Sequence, residues 1–241
     1  MDLRILLTGG SGRLGREIVK LNPNVIAPSH NKLDITDRHK VQEILNIVQP
    51  EAVIHLAAYT NVAQAERDRD QCWKVNVEGT RNLVECSTDN TYFAYISSAC
   101  VFRGDKGNYT ENDIPSPENF YGLTKLIGEI VVQQSRHKRW LIARTNFVER
   151  APWKYPKAFC DRFGTYLYAD EVAERLLELV RKGTTGLIHV CGSERISMYE
   201  LAKRLKPDVQ PWTLEEYYRE NPDAARLTRD MTLKTVRTDI S

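Results

Sequence analysis

Leu3-Arg4-Ile5-Leu6-Leu7-Thr8-Gly9-Gly10-Ser11-Gly12-Arg13-Leu14-Gly15 opens the chain and decides its architecture. A short, unbroken apolar run that stops on glycines has the pattern of a strand buried on both faces. Residues 13–21 follow as a helix, so the chain begins strand, glycine turn, helix. The alternation continues through residue 145. Residues 24–27, 52–57, 92–98 and 140–144 read as strands. Residues 37–48, 72–87 and 120–135 read as helices. In the first of these helices Val41, Ile44, Leu45 and Val48 fall at helical spacing, with Thr36 as the expected N-cap. Such alternation predicts an α/β fold: a doubly wound parallel sheet with right-handed crossovers, covered on both faces.

Beyond residue 145 the character changes. Residues 146–168 hold two prolines and many aromatics, among them Phe147, Trp153, Tyr155, Phe159, Phe163, Tyr166 and Tyr168, and read as irregular structure around a pocket. Residues 170–181 and 198–205 read as helices and 187–191 as a strand. From Pro207 the chain is polar and reads as loose. The expected division is a dinucleotide-binding Rossmann-type domain over 1–145 and a small substrate-binding lobe over 146–241, interleaved with the end of the sheet.

Composition narrows the classes. Hydrophobic residues make up 41% and charged residues 27% of 241, a globular balance that excludes a disordered chain. A net charge of +2 gives no strong pull toward nucleic acid or a membrane surface, and neither is expected as a partner. No apolar stretch approaches the ~18–20 residues of a membrane helix, and the N-terminal apolar run is too short for a signal peptide. Cys72, Cys86, Cys100, Cys160 and Cys191 are odd in number and lack metal-type spacing. A reducing cytoplasm and no metal site are the expectation.

Gly10, Gly12 and Gly15 fit G-x-G-x-x-G, and Gly9, Gly12 and Gly15 fit the G-x-x-G-x-x-G variant. Placed between a buried strand and a helix, the motif predicts a turn that lets backbone approach a pyrophosphate at the helix start, with Arg13 and Leu14 beside it. A ribose-binding acid ~20 residues on is absent from Ala27-Pro28-Ser29-His30-Asn31-Lys32. Ser29, His30, Lys32 and Arg13 suit a 2′-phosphate instead, or form a solvated basic loop. The missing carboxylate favours NADP(H) over NAD(H).

Tyr121-Gly122-Leu123-Thr124-Lys125 is Y-x-x-x-K, which puts both side chains on one helix face ~6 Å apart along the axis. An ammonium beside a phenol favours the phenolate and lowers a pKa that is ordinarily ~10. Lys125 is also placed to hold a nicotinamide ribose. Ser98 ends the strand 92–98, at the sheet edge where open α/β sheets bind ligands. Ser98, Tyr121 and Lys125 are the expected catalytic set; the plain alternative is a surface Tyr/Lys pair.

Together these residues resemble the extended short-chain dehydrogenase/reductase family, and within it the dTDP-4-dehydrorhamnose reductases and related nucleotide-sugar 4-ketoreductases. The likeness is carried by Thr8 to Gly15, Leu33-Asp34-Ile35-Thr36-Asp37, Pro50-Glu51-Ala52-Val53-Ile54-His55, Ala57-Ala58-Tyr59-Thr60-Asn61-Val62, Asn76-Val77-Glu78-Gly79-Thr80, Ser97-Ser98, Val101-Phe102, Tyr121/Lys125 and Arg144-Thr145. It is good over 1–145 and thinner afterwards. The resemblance implies Asp34 and Ile35 beside an adenine, Ala57, Ala58 and Tyr59 along the dinucleotide, and Asn76 near the active site. For Asn76 a bond to neighbouring backbone is the alternative. It further implies hydride transfer from NADPH to the 4-ketone of a nucleotide-linked sugar, with Tyr121 giving the proton. The oligomer it allows is a homodimer.

Departures bear on the substrate. The family's reductases typically read Ser/Thr-Asp-Tyr-Val-Phe where this chain reads Ser98-Ala99-Cys100-Val101-Phe102. The related dehydratases need Asp-Glu there, so Ala99-Cys100 argues against dehydration. The segment from Arg144 to Gly164 is shorter than the family norm. Two alternatives stay open: a non-catalytic regulatory subunit, as in methionine adenosyltransferase, and a nucleotide-sugar 4-epimerase, which usually keeps NAD bound.

Overall fold

The computed structural model describes residues 3–238; the first two and last three residues lie outside it. Strands β1 (Ile5–Thr8), β2 (Ala52–His55), β3 (Tyr92–Ser98), β4 (Trp140–Thr145) and β9 (Gly186–Val190) form a five-stranded sheet in the order β1-β2-β3-β4-β9, every pair parallel. Alternate residues of β1 explain the layering. Ile5 and Leu7 join Leu14, Ile18, Leu176 and Val180 on the face covered by α1 (Arg13–Leu21) and α7 (Ala169–Lys182). Leu6 joins Val41, Leu45, Leu83 and Val132 on the face covered by α2 (Arg38–Val48), α5 (Gly79–Cys86) and α6 (Phe120–Gln133). Period-two strands between two helical layers are the doubly wound Rossmann-type arrangement that the first residues predict.

Four sequence expectations are corrected. The strand expected at 24–27 shrinks to an isolated bridge at Ile26, whose N–H and C=O bond Ile5 and Leu7 along the free edge of β1. Pro23 and Pro28 flank this segment and lack the N–H that would extend the ladder. The N-cap of α2 is Asp37, not Thr36: its carboxylate accepts from the N–H of His39 and Lys40, while the Thr36 hydroxyl turns back to Asp34. The helix expected at 72–87 is three pieces, α4 (Arg69–Trp73), a π-helical turn (Lys74–Glu78) and α5.

The fourth concerns the C-terminal stretch, which is ordered. β11 (Gln210–Trp212) pairs with β6 (Lys157–Phe159), α9 (Leu214–Glu220) follows, and β12 (Asp230–Met231) adds to β7 (Phe163–Gly164). Met231 and Leu233 are buried against Ala99, Cys100, Val101, Phe102 and Tyr109. A polar composition hid this return because a few buried side chains fix it. Three small elements complete the lobe: β5 (Phe147–Val148) paired with β8 (Leu167–Tyr168), β10 (Ile196–Ser197) on β7, and α8 (Met198–Leu205). Among the described residues no helix is long and apolar enough to cross a membrane. All five cysteines are free thiols.

Candidate active site

The chain reverses sheet direction at β1, with Ile26 on one side and β2 on the other. A crevice opens at such a switch point beyond the carboxyl ends of the strands. Here it is a cleft of about 1350 Å³, running from the glycine turn past β3 to the lobe. That exceeds the size of a pocket for one drug-sized ligand.

Backbone builds the first end. Gly9 has φ +75°, and a Cβ there would meet Ala57 N at 2.7 Å, so the turn rests directly on the strand-end loop of β2. A Cβ at Gly15 would sit 2.2 Å from Gly9 O, which fixes α1 against the turn. Gly12 caps α1 without a side-chain hydrogen bond, and its own Cβ would meet only Gly9 O, at 3.2 Å. The first turn of α1 therefore faces the cleft with its N–H groups uncovered, the arrangement that receives a phosphate. Arg13, Leu14, His30, Asp34, Ile35, Ala57, Ala58 and Tyr59 line the same cleft. Burial alone would raise the Asp34 carboxyl, but the Thr36 N–H and hydroxyl, with the charges of His30 and Lys40, hold it below its ordinary value.

Ser29 and Asn76 do not line the cleft. Asn76 is buried behind it, inside the π-helical turn. Its Oδ1 accepts from Tyr59 N at 2.7 Å, and its Nδ2 donates to Tyr59 O at 3.2 Å and to Thr124 Oγ1 at 2.9 Å. The amide thus ties the Ala57–Ala58–Tyr59 loop to α6, one residue before Lys125. The backbone alternative for Asn76 is the one realised.

In the middle of the cleft stand Ser98, Tyr121 and Lys125. Ser98 ends β3, where its hydroxyl accepts from Cys100 N at 3.2 Å and starts the turn at Ala99–Val101. A Cβ at Gly122 would lie 2.2 Å from Cys100 O, so only glycine lets α6 settle on that turn and bring Tyr121 to Ser98. Asn119 caps α6 through Gly122 N, and the Glu66 carboxylate takes the Phe120 N–H at 2.6 Å. Glu66 belongs to a charge run that reads as a solvated face; here it docks α3 (Val62–Arg67) onto the start of α6. Lys125 is only 4% exposed, with Nζ 4.1 Å from the centre of the Tyr95 ring.

Burial pushes the Tyr121 phenol above its ordinary value, aided by Cys100, while Ser98 acts the other way. It pushes Lys125 down to about 7, against the charges of Glu129 and Cys72. The expectation that Lys125 lowers Tyr121 is corrected: desolvation raises the phenol, Lys125 is not among the charges that act on it, and the lysine nitrogen rests on the Tyr95 ring. The phenol therefore keeps its proton but is a weaker acid than a free tyrosine, and the Ser98 hydroxyl eases its loss.

Side chains build the far end. Phe159 and Trp212 stack with centroids 5.4 Å apart, and Tyr217 meets both edge-on. Trp153 packs edge-on against Tyr155 and donates to Lys157 O, and both aromatics line the cleft. Between this wall and Tyr121 the buried Thr145 Oγ1, Asn146 Nδ2 and Tyr166 Oη have no protein partner. Cys100 fills the position of the family's missing pocket residue and faces Met231 sulfur at 3.8 Å. Three residues that the structure places around the site have no role assigned from the sequence: His55, Glu129 and Arg144. Each is a charged or titratable residue inside an apolar run, which is their one visible signal.

Residues 3–235 match the family described as the RmlD substrate binding domain. A dTDP-4-dehydrorhamnose reductase of Aggregatibacter actinomycetemcomitans is 32% identical over 227 residues, covering 83% of this chain and 76% of that one. The methionine adenosyltransferase 2 subunit beta of Rattus norvegicus is 30% identical over 236 residues, covering 83% and 70%. Among solved structures, the dTDP-4-dehydrorhamnose reductase of Bacillus anthracis in complex with NADP superposes with a TM-score of 0.88 at 28% identity, over 97% of this chain and 91% of that one.

Proposed function

The chain belongs to the RmlD substrate binding domain family, and from that premise we propose that it is an NADP(H)-dependent reductase of a nucleotide-linked 4-keto-6-deoxy sugar, of the extended short-chain dehydrogenase/reductase type. One observation carries the reading. Ser98 and Tyr121, from different elements, face one cleft beside the buried Lys125, between an uncapped helix start and an aromatic wall. Relatives named as reductases and a similar fold in complex with NADP support it.

The glycine turn fits a dinucleotide, because Gly9 and Gly15 close it tightly while Gly12 leaves the α1 N–H groups open. Gly9, Gly12, Arg13, Leu14 and Gly15 would hold the pyrophosphate, and Asp34 and Ile35 the adenosine side. Ala57, Ala58 and Tyr59 would lie along the dinucleotide, and Lys125 would hold the second ribose. His30 and Arg13, with Ser29 nearby in the chain, are assigned to a 2′-phosphate. When bound, the cofactor supplies the hydride. Tyr121 gives its proton to the ketone oxygen, Ser98 donates a hydrogen bond to that oxygen, and Lys125 holds the ribose beside them. The residues from 1 to 145 thus take the cofactor and those from 146 onward the nucleotide sugar, with its base against Trp212 and Phe159.

The test is NADPH oxidation with dTDP-4-dehydro-6-deoxy-L-mannose, with NADH and Tyr121→Phe in parallel. Tyr121-dependent loss of NADPH, faster than loss of NADH, is the expected result. Saturable NADPH binding without turnover on any 4-keto sugar would sink it. The second reading, a regulatory subunit, draws on Ala99-Cys100 replacing the polar pair and on the methionine adenosyltransferase relative. It expects a stoichiometric protein partner in a pull-down.

A further inference from the structure

Glu129 lies on α6 four residues beyond Lys125, with its carboxylate sealed inside the protein. Arg144 grips it with both ends of its fork: Nε donates to Oε1 at 2.9 Å and Nη2 to Oε2 at 2.7 Å. Neither side chain is more than 3% exposed. The Ser97 hydroxyl donates to the same Oε1. These residues come from the three elements that carry the site. Ser97 precedes Ser98 on β3, Arg144 precedes Thr145 on β4, and Glu129 is one turn along from Lys125 on α6. A bidentate pair fixes distance and plane together. Apolar side chains of similar volume would join the same elements without desolvating two charges, so packing alone does not explain a charged pair here.

Lys125 is faced from every side by groups that feel its charge. Tyr95 comes from β3, His55 from β2, Cys72 from α4, and Glu129 from its own helix. Burial, with the Lys125 charge second, pushes the His55 imidazole down to about 3. Glu129 and Cys72 pull Lys125 upward against its own burial. Glu129 is held in place by Arg144 and Ser97, so its charge stands at a fixed position one helical turn from Lys125.

We propose that Ser97, Glu129 and Arg144 form a positioning cluster for the site. It locks α6 in register with Ser98 and fixes the Glu129 carboxylate where its charge supports that of Lys125. What Lys125 then does to substrate rests on the reductase reading; the field itself is measurable without turnover.

The experiment is an NMR titration of the full chain labelled at lysine Cε, with the Lys125 resonance identified by its loss in Lys125→Met. Glu129→Gln leaves the Arg144 cation unopposed and lowers the Lys125 midpoint. The shift is expected at about one pH unit. Arg144→Lys keeps the charge and leaves the midpoint in place, while losing the second arm of the fork lowers kcat. A Glu129→Gln midpoint that coincides with wild type, or an Arg144→Lys chain with unchanged kcat, overturns the proposal. A lowered Glu129→Gln midpoint in a chain that reduces no 4-keto sugar would retire the reductase reading and leave the cluster standing.

Discussion

At the Gly9–Gly15 end of the cleft the wall is made of main chain; at the Trp153–Tyr217 end it is made of side chains. The first end is defined by what glycine omits: a Cβ at Gly9 or Gly15 would overlap backbone. The second is defined by what large rings occupy, with Phe159, Trp212 and Tyr217 held by one another at 5.1–5.4 Å. A main-chain wall recognises what all dinucleotides share, whereas an aromatic wall can be re-cut one residue at a time. On the proposed reading the common ligand takes one end and the specific one the other, with Tyr121 between them.

Mutations can break this division or sharpen it. The largest effect is expected at the boundary. Tyr121→Phe should lower kcat by ~10²–10⁴-fold while leaving NADPH affinity within about threefold, read by turnover and fluorescence titration. Gly15→Ala should come next. Its Cβ would sit 2.2 Å from Gly9 O, so melting should show a loss of roughly 3 kcal/mol as well as weakened cofactor binding. Gly12→Ala in the same turn should leave the melt within about 0.5 kcal/mol yet still weaken binding, separating the cost to the fold from the cost to the ligand. Equal destabilisation by both glycine variants would break the argument. Trp212→Ala should raise KM for the sugar substrate by about 10–100-fold, with unchanged NADPH affinity.

The smallest effect is one of stability and has a definite sign. Burial lowers Lys125 from 10.5 in the unfolded chain to about 7 in the folded one. Between those values the unfolded chain holds more protons, so stability rises with pH across that window. Below it both states are charged and the burial cost is complete. Lys125→Met should therefore raise the unfolding free energy at pH 7 and below by about 1–2 kcal/mol, and the gain should fade as pH approaches 10.5. A gain independent of pH would point to better packing instead.

Legibility in the sequence follows the same contrast. The glycine turn, β3, α1 and the start of α6 could be read because their signals are local: glycines at fixed offsets, and alternating apolar residues. Ser98, Tyr121 and Lys125 could be placed because strand ends and helix faces are set by short-range periodicity. Asn76 enters by resemblance alone, because its bonds to Tyr59 and Thr124 are made from within a π-helical turn that no local spacing announces. Glu129 and Arg144 escaped because a buried ion pair depends on a partner 15 residues away in another element. The return of β12 was invisible because Asp230 and Met231 pair with a two-residue strand far upstream.

That return has a consequence in time. Thr232 takes the Asn108 N–H across 124 residues of chain, and Met231 closes the floor beneath Cys100. A nascent chain that has only just released α6 from the ribosome already owns its glycine turn, Ser98, Tyr121 and Lys125. It still lacks the segment that shapes the floor beside them. On the proposed reading, the residues that would hold a dinucleotide leave the ribosome well before the segment that closes the floor beside Tyr121, so a complete site has to wait for nearly the whole chain.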